Sequence, residues 1–297
     1  LRICMVGPGA IGGVVAGVLA REGFDIHLVT NHEELAERIS STGIEVSGFH
    51  GTFTQPIPSV ARIDQLDGVF DYALIVTRVD ALVESAKALL PFLHENSRVV
   101  SMQNGICEET LAHVVGEART IGCVVGFGGT FHEPGRVEMT SGGEFIVGNW
   151  NREPDERLEQ LATILRQVAV TRTTGEILPE LYSKLIINAC ITTLGVICGQ
   201  RLGDMLVVRE IRNLSIEVIR EAMEVAGAMG IKVPPGAGGK LDYHKLLSSG
   251  PLSGLKRHLT IRVIGMKYRR LKSSGLQSLE RGHKTEVDIY NGYIVER

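Results

Sequence analysis

A glycine turn at the head of the chain constrains its fold more than any other feature. ICMV (residues 3–6) is an apolar run of strand length, GPGAIGG follows at once, and VVAGVLAREG continues with the apolar, alanine-containing composition of a helix. Gly7, Gly9 and Gly12 stand at GxGxxG spacing, where they serve a tight turn, a close approach of backbone to pyrophosphate, and close packing of helix on strand. FDIHLV (24–29) supplies the next strand, so the turn Gly7-Pro8-Gly9-Ala10-Ile11-Gly12 reads as the phosphate-binding element of a dinucleotide fold. The alternative is a glycine turn without a ligand.

Alternation continues through an ELAERIS helix, the strand YALIV (72–76), a helix over 81–90, the strand RVVSM (98–102) and a helix over 108–115. Strand-helix alternation predicts a parallel sheet covered on both faces, with ligands at the carboxyl ends of the strands. Arg78 and Asn104 stand at such ends and are candidate cofactor contacts; each also has a bland reading, as an exposed arginine at a helix start and as an Asn-Gly turn. After the second strand come Thr30, Asn31 and His32, neither an acid for the ribose of NAD nor an arginine for the 2′-phosphate of NADP. The missing acid favours NADP and leaves NAD open. Residues 120–150 alternate around Pro134-Gly135 and Gly142-Gly143, which predicts antiparallel strands closing the sheet edge. Helical periodicity takes over beyond Thr174, giving a Rossmann-type α/β domain over 1–174 and an all-helical domain over 175–297.

The helical half carries two polar constellations. In the apolar helix over 176–198, Lys184, Asn188 and Thr192 recur at a spacing of four and share one face. A lysine among Leu181, Leu185, Ile186 and Ile187 either snorkels to solvent or sits in a desolvated cleft, where it is a better proton donor or base. The second constellation is SSGLQSLERGHKTEVDIYNG (273–292), with a helix expected to begin near Thr285 and Glu286 in its first turn; an acid there offsets the helix dipole or does chemistry.

Composition narrows the class. At 297 residues the chain suits two domains, and 44% hydrophobic with 22% charged residues excludes disorder. No uncharged apolar run approaches a membrane span, and a net charge of −3 argues against nucleic acid as the principal partner. Five cysteines without CxxC spacing fit a reducing cytoplasm, and no spacing of His, Cys or carboxylates resembles a metal site. The chain opens on Leu1 and stops in NGYIVER, inside what reads as a continuing helix, so both ends are expected to be trimmed.

VGPGAIGG, the Gln103-Asn104-Gly105 turn, Lys184 with Asn188, and SSGLQSLERGHKTEVDIYNG together resemble the ketopantoate reductase family. The resemblance implies a Rossmann domain, a helical domain, and NADPH-dependent reduction of 2-dehydropantoate to pantoate. It also implies Lys184 as general acid, Glu286 as the acid that orients substrate and lysine, Asn104 and Asn188 as amides on the substrate, and Ser274 as the serine receiving the substrate carboxylate. Arg78 stands where the family usually has lysine, Thr192 where many members have a second asparagine, Leu271 for another substrate-side asparagine, and Asn31 for the arginine that reads the 2′-phosphate. These departures motivate a second reading, a reductase of another anionic 2-oxo acid; a third, from a different class, is a nicotinamide-cofactor sensor without turnover. The stretch Tyr243 to Leu279 holds no Asp or Glu and many Lys and Arg, which reads as a solvated face, a subunit contact of a homodimer, or a basic approach to the substrate through Arg269 and Arg270.

Overall fold

A computed structural model describes residues 1–250 and 252–297. The chain forms two compact units, Leu1–Leu178 and Pro179–Arg297.

The first unit runs β1 (Arg2–Val6), α1 (Ala10–Arg21), β2 (Asp25–Val29), α2 (Glu33–Ser41), β3 (Ile44–Gly48), β4 (Phe53–Gln55), β5 (Ser59–Val60), β6 (Phe70–Ile75), α3 (Leu82–Leu89), β7 (Leu93–Ser101), α4 (Glu108–Val115), β8 (Thr120–Val125), β9 (Gly128–Glu133), β10 (Arg136–Ser141), β11 (Glu144–Asn149), α5 (Glu156–Leu165) and β12 (Val170–Thr173). The main sheet has the order β12-β11-β8-β7-β6-β1-β2-β5, and the ladder from β5 to β8 is parallel throughout. Its central strands are apolar along their whole length because helices cover both faces: Ile3, Cys4, Met5, Tyr72, Ala73 and Val100 are all fully buried. Asp155 caps α5, its carboxylate accepting from the Leu158 N–H at 2.7 Å.

The stretch 120–150 departs from expectation. β8 joins the parallel ladder beside β7, and β11 runs antiparallel to β8, with β12 parallel to β11 at the edge. The β9–β10 hairpin leaves the main sheet and forms a second one, β4-β3-β10-β9, in which β10 pairs in parallel with β3. α1 is the layer shared by the two sheets, buried from Gly12 to Leu19. Its glycines permit the close approach: a Cβ on Gly13 would lie 2.9 Å from both Ile44 and Val137, and one on Gly17 would lie 2.5 Å from Val46.

The second unit is helical, with α6 (Ile177–Ile187) entering it, a π-turn (Asn188–Thr192), α7 (Thr193–Cys198), α8 (Leu202–Val207), α9 (Arg209–Ala228), the short α10 (Gly236–Gly239), α11 (Tyr243–Leu247), α12 (Ser253–Lys267), α13 (Ser274–Glu280), a second π-turn (Asp288–Gly292) and α14 (Tyr293–Glu296). Its core gathers Leu181, Tyr182, Leu185, Ile186, Ile219, Ala222 and Tyr290. Two buried tyrosines tie elements across it: Tyr182 Oη donates to the Ala222 carbonyl at 2.9 Å and Tyr243 Oη to the Ser183 carbonyl at 2.7 Å. Arg212 is buried because its guanidinium closes the end of α8, donating to the carbonyls of Leu206 and Val207.

Two details bear on the expectations here. The last helix starts at Val287, not Thr285, leaving Glu286 on the segment just before it. The run Ile177–Cys198 is long and apolar enough to cross a membrane by length and composition, despite Glu180 and Lys184, yet 56% of its apolar window is buried inside the protein as the central helix of this unit.

Candidate active site

In the first unit, the strand ends converge on the glycine turn. Gly7 adopts φ +104°, a conformation that disfavours a side chain, and its N–H bonds the Val29 carbonyl at 3.0 Å. A Cβ on Gly12 would stand 2.1 Å from the Gly7 oxygen, so the third glycine is required by contact with the first. Gly9, the N-cap of α1, is exposed with nothing within 4 Å of where its Cβ would be. α1 carries no capping side chain and no acid in its first turn, so the N–H groups of Ala10 and Ile11 at its start have no side-chain acceptor from a cap. A pyrophosphate fits such a turn: backbone donors, the positive end of a twelve-residue helix, and open space at Gly9.

Gln103, buried at the end of β7, locks the neighbouring loops. Its Nε2 donates to the carbonyls of Thr77 at 2.9 Å and Arg78 at 3.1 Å, fixing the loop after β6 against the loop after β7. Arg78 and Asn104 are therefore held near each other, both half-buried, with the Arg78 guanidinium 3.4 Å from Asp80. Asn31 is exposed beyond β2. The sequence reading missed its neighbour, Arg62. The Thr30 N–H bonds the Val60 carbonyl at 2.9 Å, so the residues leaving β5 run beside those leaving β2. Arg62 is held by a two-pronged contact with Asp64, at 3.0 Å for both prongs, which raises its pKa, with Glu33 adding a smaller share. No local motif signals it, because the neighbourhood comes from pairing of β5 with β2.

In the second unit, Lys184 and Asn188 lie one turn apart, both half-buried on the apolar central helix. Asn188 Nδ2 is buried and has no hydrogen-bond partner among the described residues, a donor in want of an acceptor. The expected line through Thr192 breaks. The Thr193 N–H bonds the Asn188 carbonyl, five residues back, and this π-turn rotates Thr192 into the interior, 7% exposed, with its methyl group 2.8 Å from where a Cβ of Gly275 would sit. Thr192 is thus a packing residue of α13, and its carbonyl accepts from Ser273 Oγ at 3.4 Å. Ser273 is buried and caps α13, whereas Ser274, the next residue, is exposed.

Glu286 is half-buried, and one of its carboxylate oxygens accepts from Tyr290 Oη at 2.6 Å. Asn291 donates from Nδ2 to the Ala189 carbonyl at 3.2 Å and accepts from Thr193 Oγ1 at 2.6 Å. The segment bearing Glu286 is in this way fastened to the turn bearing Asn188. Tyr290, Asn291 and Thr193 escaped the sequence reading as supports, since their spacing to one another means nothing before the chain folds.

The basic stretch finds its counter-charges at its flanks: Lys245 pairs with Asp242 at 3.1 Å and Lys272 with Glu280 at 2.8 Å. Arg257 donates to three backbone carbonyls near the end of α11, while Arg269, Arg270 and Leu271 are exposed. The five cysteines are thiols, none in a disulfide among the described residues; burial pushes Cys4 up to about 12 and Cys190 to about 11, so neither is a nucleophile at neutral pH. Among the described residues no three His, Cys, Asp or Glu side chains are grouped to hold a metal ion.

A mostly parallel sheet with an open glycine turn at the end of its first strand, followed by a helical unit with a lysine-asparagine pair on its central helix, defines a nicotinamide-dependent oxidoreductase of Rossmann type. The chain belongs to the family described as ketopantoate reductase PanE/ApbA: that family's model matches residues 3–152 and its C-terminal model residues 176–297. Members act on a small keto acid with a nicotinamide cofactor. A curated 2-dehydropantoate 2-reductase of Pyrococcus horikoshii is 26% identical over 305 residues, covering 100% of this chain and 90% of the relative. The crystal structure of 2-dehydropantoate 2-reductase from Geobacter metallireducens GS-15 is similar at a TM-score of 0.83 and 25% identity, covering 100% of this chain and 92% of that one. The fold is also shared with D-mandelate dehydrogenase in its ternary structure with NADH and anilino(oxo)acetate, at a TM-score of 0.82, 17% identity, and coverage of 100% and 91%.

Proposed function

We propose that the chain reduces the C2 ketone of 2-dehydropantoate to the alcohol of pantoate with NADPH, Lys184 acting as general acid. The observation that carries this reading is the Lys184–Asn188 pair: an ammonium and, one turn on, a buried amide donor lacking a partner among the described residues, on a mostly apolar helix. The full-length likeness to a curated 2-dehydropantoate 2-reductase supports the substrate.

When bound, a reduced nicotinamide would supply hydride to C2. As that bond forms, the carbonyl π electrons collect on oxygen, and Lys184 Nζ delivers the proton that quenches the alkoxide. Asn188 Nδ2 donates to the substrate. Ser274 receives the carboxylate, and Glu286 orients the lysine and substrate. Lys184 is left neutral and regains its proton from solvent.

Rates of NADPH oxidation with 2-dehydropantoate test the reading beside a Lys184→Ala variant, in which kcat should fall by roughly 10²–10⁴. Tight NADPH binding with negligible turnover, unaltered by the variant, would instead support a cofactor sensor. A second reading, another anionic 2-oxo acid, is favoured by the loss of Thr192 from the polar face and by exposed Leu271 where the family has a substrate-side asparagine. A panel of 2-oxo acids separates the two, and Michaelis constants that rise on neutralising Arg269 and Arg270 would bring the basic stretch into that second reading.

For the cofactor, the lack of an acid at Asn31 and the nearness of Arg62 support NADPH. Arg62→Ala should lower kcat/KM for NADPH about tenfold while leaving NADH unchanged, the size of one charge-assisted contact. Equal losses with both cofactors would remove Arg62 from 2′-phosphate recognition. Five cysteines in the thiol form support action in the cytoplasm.

A further inference from the structure

The π-turn at Asn188–Thr192 interrupts an otherwise continuous helix at the residue next in line from Lys184. An α-helix would bring the Thr193 N–H to the Ala189 carbonyl; here it reaches the Asn188 carbonyl instead. A threonine hydroxyl in mid-helix ordinarily bonds back to the carbonyl four residues earlier, which is again Ala189. Neither happens. The Ala189 carbonyl takes a bond from Asn291 Nδ2 at 3.2 Å, and the Thr193 hydroxyl donates to Asn291 Oδ1 at 2.6 Å.

One amide therefore occupies the acceptor that the α-helical register would use and engages the hydroxyl that would compete for it. The wider turn has a consequence for the polar face. With the Thr193 N–H bonded five residues back in place of four, Thr193 points to Asn291, Thr192 packs inward on Gly275, and Asn188 heads the turn with its Nδ2 unpartnered among the described residues.

We propose that Asn291 is a positioning residue for the reduction, holding the 188–192 turn in its π register and so fixing the direction in which Asn188, and through it the substrate, faces Lys184. The inference rests on the reductase reading for its kinetic consequence, while its structural half stands apart from it. Asn291 touches neither substrate nor cofactor; it acts through the Ala189 carbonyl and Thr193.

Three variants test it. Asn291→Leu removes both bonds at similar volume, Thr193→Val removes the hydroxyl alone, and Thr193→Ser keeps it. The crystal structure of Asn291→Leu is expected to show 188–192 relaxed to α-helical bonding, with the Thr193 N–H on the Ala189 carbonyl; a retained π-turn overturns the inference whatever the wild-type protein turns over. Kinetically, Asn291→Leu and Thr193→Val should lower kcat for the keto acid tenfold or more, with cofactor affinity unchanged, and shift the limb of the kcat–pH profile that disappears in Lys184→Ala; Thr193→Ser should restore both. Combining Asn291→Leu with Lys184→Ala should cost no more than Lys184→Ala alone, because the two act as a unit. Normal kcat and pH profile in the folded Asn291→Leu variant, or fully additive losses, overturn the positioning role. Absence of turnover by the wild-type protein with every 2-oxo acid of a panel overturns the reductase reading instead, and leaves the structural test standing.

Discussion

Glu286 shows how one side chain depends on the next. Tyr290 is only 1% exposed, so its hydroxyl has no water to turn to and points its proton at the Glu286 carboxylate, 2.6 Å away. A hydrogen bond to a charged acceptor is worth about 1.5–3 kcal/mol. Tyr290→Phe deletes it without opening a cavity, and kcat is expected to fall about tenfold to a hundredfold while KM for the cofactor stays fixed; steady-state kinetics check this, and an unchanged kcat would mean that Glu286 finds its orientation without Tyr290. Periodicity marks Lys184 and Asn188 as polar groups on an apolar helix, whereas Glu286, an ordinary acid at a helix start, is singled out by the family resemblance. Neither marks Tyr290 as their support, since a tyrosine four residues from an acid is ordinary until burial decides which way the hydroxyl faces.

At the scale of elements, α1 carries the cofactor turn at one end and the packing of two sheets along its sides. Gly7, Gly9 and Gly12 are legible from spacing alone, whereas Gly13 and Gly17 look like surplus in a helix that they should weaken. Their reason is the second sheet, which brings Ile44, Val46 and Val137 against the helix backbone. Two substitutions separate these roles. Gly12→Ala puts a methyl group onto the Gly7 oxygen and should abolish measurable cofactor binding in a fluorescence titration. Gly17→Ala presses on the tip of Val46 and should cost about 1–3 kcal/mol in denaturant unfolding, the usual range for overpacking, with the affinity of the folded protein for cofactor retained. The second sheet was hidden because β10 pairs with β3, some ninety residues earlier, and no local pattern announces a partner at that distance.

At the scale of the molecule, the first unit is laced by two carboxylates. Asp155 caps α5 and receives Arg98 of β7 at 2.6 Å, while Asp71 of β6 accepts from the Arg2 N–H at 2.9 Å and from Arg157 at 3.2 Å. Burial pushes both carboxyls up, but the Arg98 and Leu158 donors on Asp155, and the Arg2 and Arg157 donors on Asp71, outweigh it and hold both below the ordinary aspartate value. A pKa depressed in the folded state means stabilisation that is full above the unfolded value near 3.8 and lost as pH falls through the folded one. Stability of the first unit should therefore drop below about pH 4, and Asp155→Asn should flatten that slope while lowering the plateau at neutral pH. Urea unfolding at a series of pH values reads both effects; an unaltered acid slope would remove Asp155 from the acid response.

By itself the sequence determined the Rossmann half, the helical half, the glycine turn after the first strand and the shared helix of Lys184 and Asn188, because each rests on spacings of a few residues that a strand, turn or helix converts directly into geometry. Tertiary structure decided the rest. Arg62 comes beside Asn31 through strand pairing, Thr192 turns inward through a π-turn, and that turn is met by Asn291, about a hundred residues further along the chain. Contacts of such separation depend on which surfaces the whole chain buries together, and hydrogen bonds of buried groups then follow from what burial leaves within reach.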